Sequence, residues 1–143
     1  MKARTFRYNF TVPIHDIDAA GVMFYAHLFR HAHDAYETFM GAVGTPLDRI
    51  IRDGGPTLPL AHADADYRGP LRHGERLAID LCVARVGRTS FTLAYRFLDA
   101  QGRVRAKAHT VHVHLGPGGA TPAPLPETLT LALEDWRCRD EGR

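Results

Sequence analysis

Cysteine is nearly absent from this chain, and what there is carries no pattern. Its two cysteines, Cys82 and Cys138, lie far apart, without the short spacings of a zinc site or the density of a disulfide-built domain. Cys82 alternates with apolar neighbours and reads as a small buried hydrophobe. No apolar run approaches the roughly 20 residues that cross a bilayer, and the first ten residues lack the apolar core of a signal peptide. These absences predict a cytoplasmic protein without a membrane partner. An excess of one charge is lacking too. Eighteen Lys and Arg against sixteen Asp and Glu leave a net charge of +2 with the nine histidines neutral, and the two signs are interspersed. That is too weak and dispersed for a nucleic-acid footprint. Repeats and low-complexity tracts are missing as well. What remains is the composition of an ordinary globule: 143 residues, 45% hydrophobic and 24% charged, enough for one domain over residues 1–143 with a sizeable core.

Periodicity supplies the elements. Phe6, Tyr8, Phe10 and Val12 alternate with polar residues, so residues 5–12 form a half-buried strand that Pro13 ends. From Tyr25 to Met40 the period changes. Leu28, Phe29, Ala32, Ala35, Tyr36 and Phe39 make one apolar stripe of a helix, while His27, Arg30, His31, Asp34 and Glu37 face elsewhere. Gly41 and Gly44 stop it. A short helical turn after Pro46 and a loop at Asp53–Pro56 follow. Four further strands are predicted at 58–67, 76–86, 90–98 and 104–115, the last three joined as hairpins. A Gly/Pro-rich segment over 117–126 leads to a short helix over 127–137. One long helix plus a run of antiparallel strands is an α+β pattern, with about five strands wrapped round the helix. Such a sheet leaves an edge strand that invites pairing with a second copy.

The most informative stretch is His15-Asp16-Ile17-Asp18-Ala19-Ala20-Gly21-Val22-Met23-Phe24-Tyr25. Two acids enter a small-residue turn immediately before the long helix. Met23 and Phe24 stand where Ser, Thr, Asn or Asp would cap a helix, so its first N–H groups have no local acceptor. A carboxylate beside free N–H groups suits acyl chemistry: one activates or attacks, the other stabilises an oxyanion. Asp16 is equally explained as a turn residue bonded to backbone. His27 and His31 are an i, i+4 pair without the Glu of a zinc-hydrolase motif or a third ligand, and His112 and His114 share a strand face; both pairs read as solvated histidines, and no metal site is expected.

The block resembles the Asp-x-Asp-x-x-Gly-x-x-aromatic-aromatic signature of the 4-hydroxybenzoyl-CoA thioesterase branch of the hotdog-fold superfamily. Three further segments resemble 1,4-dihydroxy-2-naphthoyl-CoA thioesterases: His33-Asp34-Ala35-Tyr36-Glu37, Leu58-Pro59-Leu60-Ala61-His62-Ala63 with Asp66-Tyr67, and Ala123-Pro124-Leu125-Pro126. The likeness spans the chain. It implies a hotdog fold, dimerising edge to edge and often pairing further into tetramers, and hydrolysis of an aromatic acyl-CoA without a cofactor, coenzyme A being part of the substrate. It makes Asp18 the nucleophile or general base, gives the Tyr25 backbone N–H the thioester carbonyl, and leaves Gly21 a backbone role. His33 and His62, with Phe29 and Tyr36, are the implied acyl-pocket residues. Arg88, Thr89 and Ser90 align with a hairpin that holds coenzyme A phosphates, though Gly87 and Thr89 stand where relatives carry bases, so Arg72 or Arg103 are alternatives. A short-chain or 4-hydroxybenzoyl-type thioesterase, a hydratase, and a non-catalytic acyl-CoA-binding module are the competing readings.

Overall fold

The computed structural model describes residues 4–139; residues 1–3 and 140–143, which the single-domain expectation includes, lie outside the described residues. Strand β1 (Phe6–Thr11) is followed by a single 3-10 turn (Ile14–Asp16), the long helix α1 (His27–Ala42) and the short helix α2 (Leu47–Asp53). Strands β2 (Leu60–Tyr67), β3 (Arg76–Val86), β4 (Ser90–Leu98) and β5 (Val104–Val113) then build the sheet, and α3 (Glu127–Glu134) closes the chain. All pairings are antiparallel, in the order β1-β3-β4-β5-β2. The expected α+β architecture is the one observed: five strands curled round one helix.

Helix α1 is about 24 Å long at 1.5 Å per residue, enough to cross the sheet. Its apolar stripe buries Leu28, Ala32, Ala35, Tyr36, Phe39 and Met40 against the inward side chains Ile79, Leu81, Phe91, Leu93, Tyr95 and Phe97. The strands alternate in the period of two that one covered face demands: in β3 Leu77, Ile79, Leu81 and Val83 are buried, and the residues between them are not. Truncating Phe39, fully buried between Phe6 and Trp136, would cost about 3–5 kcal/mol.

Three expectations require correction. Cys82 is not an unpaired hydrophobe. It is bonded to Cys138, 56 residues away, because the tail beyond α3 runs alongside β3, with Val83 N–H donating to Trp136 O and Cys138 N–H to Val83 O. His31 belongs to the buried side of α1, only 5% exposed. Alternation in β2 fails at Ala61. Leu60 pairs with His112 but His62 with Val111, so one extra residue is accommodated as a bulge. The bulge reverses the facing downstream of it, so that Leu60 lines the inner side together with Ala63 rather than with His62.

Strand β2 is one of the two outer strands of the sheet, β1 being the other. All its residues but Ala65 are exposed, including Leu60 and Tyr67 at 56% and 46%.

Candidate active site

The acid turn is built by local hydrogen bonds. Ile17 and Met23 bridge antiparallel, Asp18 N–H donates to Val22 O, and Gly21 N–H donates to Asp18 O. Gly21 has φ +81°, in the left-handed region that favours glycine, while a Cβ there would meet nothing within 4 Å. Its need is therefore conformational, not one of close approach. Asp18 is half-buried, and its Oδ1 accepts the Ala20 N–H at 2.9 Å. Oδ2 has no hydrogen-bond partner among the described residues. The carboxylate is thus anchored by one oxygen and presents the other.

The turn delivers the chain directly into α1, whose N-cap Ala26 offers no side-chain acceptor. Phe24 N–H donates to Asp16 O and His27 N–H to Phe24 O, but the Tyr25 N–H finds no acceptor among the described residues. The Tyr67 hydroxyl donates to Tyr25 O at 2.6 Å and fixes that peptide from β2. Met23 N–H donates to Leu71 O at 2.7 Å, tying the turn to the loop after β2. Arg105 braces this loop through Pro70 O and ion pairs with Glu75 and Asp99. The uncapped start of α1 therefore follows the acid turn within a hydrogen-bonded frame, with the positive end of the helix dipole there.

Asp16 has a different task. It is 1% exposed, ion-paired with Arg30, and its Oδ2 accepts His31 Nε2–H at 2.5 Å. The His31 ring stacks on Phe10 at 4.1 Å. Both α1 partners were assigned to solvent by periodicity alone. Asp16 bonds their side chains rather than only backbone.

A cavity of about 380 Å³ lies farther along α1, lined by Phe29, His33 and Tyr36 from the helix, by Leu47, Ile50 and Ile51, by Leu58, Leu60 and Ala63, and by Tyr95, Thr110 and His112. Three of the four expected pocket residues meet here. His62 does not: beyond the bulge its Nε2–H donates to Asp64 Oδ2 at 2.9 Å on the outer face, where His109 Nδ1 also meets Asp64 at 3.1 Å. The His62 hydrogen bond, against a smaller burial penalty, holds the Asp64 carboxyl below its ordinary pKa. His112, expected among solvated histidines, is instead 5% exposed and stacked on Tyr36 and Phe91. Its inward parity in β5 was legible; its polarity masked it. His114 Nδ1 donates to Pro124 O at 2.8 Å and holds the C-terminal segment. Burial pushes the Tyr36 hydroxyl up to about 12, so it is neutral near pH 7.

The β3–β4 hairpin carries Arg88, exposed, with Thr89 and Ser90 half-buried. Arg85 lies against the same turn, its Nη1 3.4 Å from where a Gly87 Cβ would stand, and supplies a base the motif comparison overlooked. Arg103 is committed to Asp99 at 2.9 Å. Within one chain this hairpin is remote from the acid turn. Phe91 and Val86 mark the hairpin end of the sheet and Leu98 and Ala78 the turn end, about 23 Å apart at 3.3 Å per strand residue.

Residues 12–133 match the thioesterase-like superfamily, and the chain belongs to that family, with the hotdog fold. Among curated proteins it is 36% identical over 129 residues to a 1,4-dihydroxy-2-naphthoyl-CoA hydrolase of Rippkaea orientalis, covering 89% of this chain and 94% of that one. A protein of the same name from Synechococcus elongatus is 36% identical over 132 residues, covering 92% and 93%. Among solved structures, a 1,4-dihydroxy-2-naphthoyl-CoA thioesterase from Synechocystis superposes with a TM-score of 0.84 at 32% identity, covering 92% and 96%. A gentisyl-coenzyme A thioesterase gives 0.80 at 26%, covering 90% and 99%.

Proposed function

We propose that this protein is an acyl-CoA thioesterase that hydrolyses 1,4-dihydroxy-2-naphthoyl-CoA or a closely similar aromatic thioester to the free acid and coenzyme A. The observation that carries the reading is the half-buried Asp18 carboxylate, one oxygen tethered by Ala20 N–H and the other without a hydrogen-bond partner among the described residues, in the turn that leads into an uncapped helix start. The names of relatives above 30% identity across nearly the whole chain support the substrate class. In the reaction Asp18 either attacks the thioester carbonyl or takes a proton from the attacking water. The Tyr25 N–H, strengthened by the α1 dipole, stabilises the oxyanion. The walls of the cavity favour a flat ring over a flexible alkyl chain, which would lose rotational freedom on entering it.

The site is completed by a second copy. Antiparallel pairing along the exposed edge of β2 sets the Leu60 end of one chain, with its cavity and β3–β4 hairpin, beside the Tyr67 end of the other, with Tyr25 and Asp18. The roughly 23 Å separating turn from hairpin within a chain is thereby bridged between chains, and Arg85 and Arg88 reach the phosphates of coenzyme A bound at the opposite Asp18. Further pairing to a tetramer is compatible with this edge arrangement. The cytoplasm, where acyl-CoA substrates are made, is the compartment this reading favours; its reducing poise opposes the Cys82–Cys138 bond.

The test is a thiol-release assay of the parent and Asp18→Asn against aromatic and aliphatic acyl-CoAs. The parent should prefer hydroxylated aryl thioesters, and Asp18→Asn should lose roughly 10²–10⁴-fold in kcat while keeping the parent's stability. Full activity in Asp18→Asn would overturn the assignment of that residue, and palmitoyl-CoA turned over as fast as the aryl thioesters would overturn the substrate class.

A further inference from the structure

The walls of the acyl cavity differ in how firmly they are held. On one side Tyr36, Tyr95, Thr110 and His112 are all buried and locked to one another. Tyr36 stacks on His112 at 4.3 Å, and the Tyr95 hydroxyl and His112 Nε2 meet Thr110 Oγ1 at 2.9 and 3.1 Å. The other side is α2, which brings Leu47, Ile50 and Ile51 to the cavity. No residue of α2 is buried. Ile51, at 85%, is the most exposed large hydrophobic side chain among the described residues.

Apolar contact alone ties α2 to the rest of the described chain. Its ion pairs run from Arg52 to Asp48 and Asp53, within the helix itself. The backbone bonds at its ends close on Pro46 O and Ile50 O, inside the same segment. The chain is fastened again only outside it, where Thr45 N–H donates to Met40 O and Leu115 N–H to Thr57 O. An element held this way lies at the low-stability end of a protein and shifts at little cost, whereas the opposite wall does not. Ile51 meanwhile has almost all its apolar surface in water at the edge of an apolar cavity. That surface is removed from water only when the cavity is filled and α2 settles on the occupant, so nearly all of it is available to favour a ligand.

We propose that Ile51 is a specificity-determining residue for the acyl group: α2 is the movable wall of the cavity, and it closes Ile51 over a fused-ring acyl group held against the fixed wall. The inference rests on the thioesterase reading above and refines its substrate class. A fused pair of rings offers α2 a larger flat surface than a single ring does. A single ring leaves more of Ile51 in water and gains less from it.

The experiment compares 1-hydroxy-2-naphthoyl-CoA with benzoyl-CoA for the parent, Ile51→Thr and Ile51→Leu. Threonine keeps the β-branch and nearly the shape of isoleucine but replaces apolar surface by a hydroxyl; leucine keeps the apolar surface. Ile51→Thr should lose about tenfold in kcat/KM on the naphthoyl thioester, mostly through KM, and about threefold on benzoyl-CoA. Ile51→Leu should stay near the parent on both. Equal losses of Ile51→Thr on the two substrates, or no loss on the naphthoyl thioester, would overturn the assignment. So would sedimentation showing that Ile51→Thr dissociates where the parent does not, since Ile51 would then be an interface residue. A parent that hydrolyses neither substrate would instead refute the thioesterase reading itself. A second measurement uses the parent protein only. Amide hydrogen exchange over Leu47–Asp53 should slow by about tenfold or more when 1-hydroxy-2-naphthoate is bound, with the middle of α1 unchanged. Exchange in α2 that ignores the bound acid refutes the movable wall.

Discussion

Replacing Asp16 by alanine should unfold this protein more readily without acting on its chemistry. Asp16 is 1% exposed and holds two cationic or ionisable partners on α1, Arg30 and His31. Breaking a buried pair by deleting one member costs about 3–5 kcal/mol, because the partner is left uncompensated. Here the figure is smaller. The Arg30 side chain is 45% exposed, so water takes over part of its solvation. The loss of the His31 hydrogen bond at 2.5 Å and of the Arg30 contact should total about 2–4 kcal/mol. For a domain of this size that lowers Tm by about 6–12 °C. Urea unfolding at one fixed protein concentration is the assay, since an associating protein's apparent stability depends on concentration. The midpoint should fall with the slope unchanged. Asp16→Asn, which keeps one acceptor oxygen, should fall between the parent and Asp16→Ala. At a temperature where the variant is folded, kcat should stay within about tenfold of the parent, in contrast to Asp18→Asn. A variant as stable as the parent to within about 0.5 kcal/mol, or one folded yet as inactive as Asp18→Asn, would refute the division of labour between the two acids.

Other consequences can be checked separately. Tyr67→Phe removes the bond to Tyr25 O at 2.6 Å and should lower kcat by about tenfold with KM little changed, since on the proposed mechanism it loosens a group that acts only in the transition state; an unchanged kcat would exclude this positioning role. Reducing the Cys82–Cys138 bond frees a 56-residue separation, worth up to about 4 kcal/mol of unfolded-state entropy, and two free thiols titrated in unreduced, unfolded protein would show the pairing to be wrong. His112 is protonated in the unfolded chain below its ordinary 6.5 but not in the folded one until about pH 4. Its stability contribution is therefore intact above pH 6.5 and is lost as pH falls toward 4, by about 2–3 kcal/mol; urea midpoints of the parent and His112→Phe that fall in parallel across this range would contradict it.

Elements whose signal is local were legible from residues alone. The stripe from Leu28 to Phe39 has the 3.6 period of a helix covered on one face, and β3 and β4 alternate because a sheet with one covered face requires it. The uncapped junction from Asp18 to Tyr25 was equally readable, since capping depends on the few residues at the helix end. Phe29, His33 and Tyr36 were expected in the pocket from the resemblance, and they line the cavity together. Other features depended on contacts between distant segments, and no spacing encodes those. His31 sits on the polar side of its helix by periodicity, yet it is buried because β1 lays Phe10 over it and the turn brings Asp16 beneath it. One extra residue at Ala61 exchanges the faces of β2, turning His62 outward and Ala63 inward. Cys82 and Cys138 became neighbours only when the tail docked through Trp136 against Phe6 and Phe39. The sequence by itself determined which segments are helix or strand and that the acid turn runs straight into an uncapped helix, because those follow from the chain's own period and hydrogen-bonding needs. Which histidines are buried and which are solvated was decided by tertiary packing alone, because burial is a property of what lies opposite a side chain and not of its neighbours along the chain.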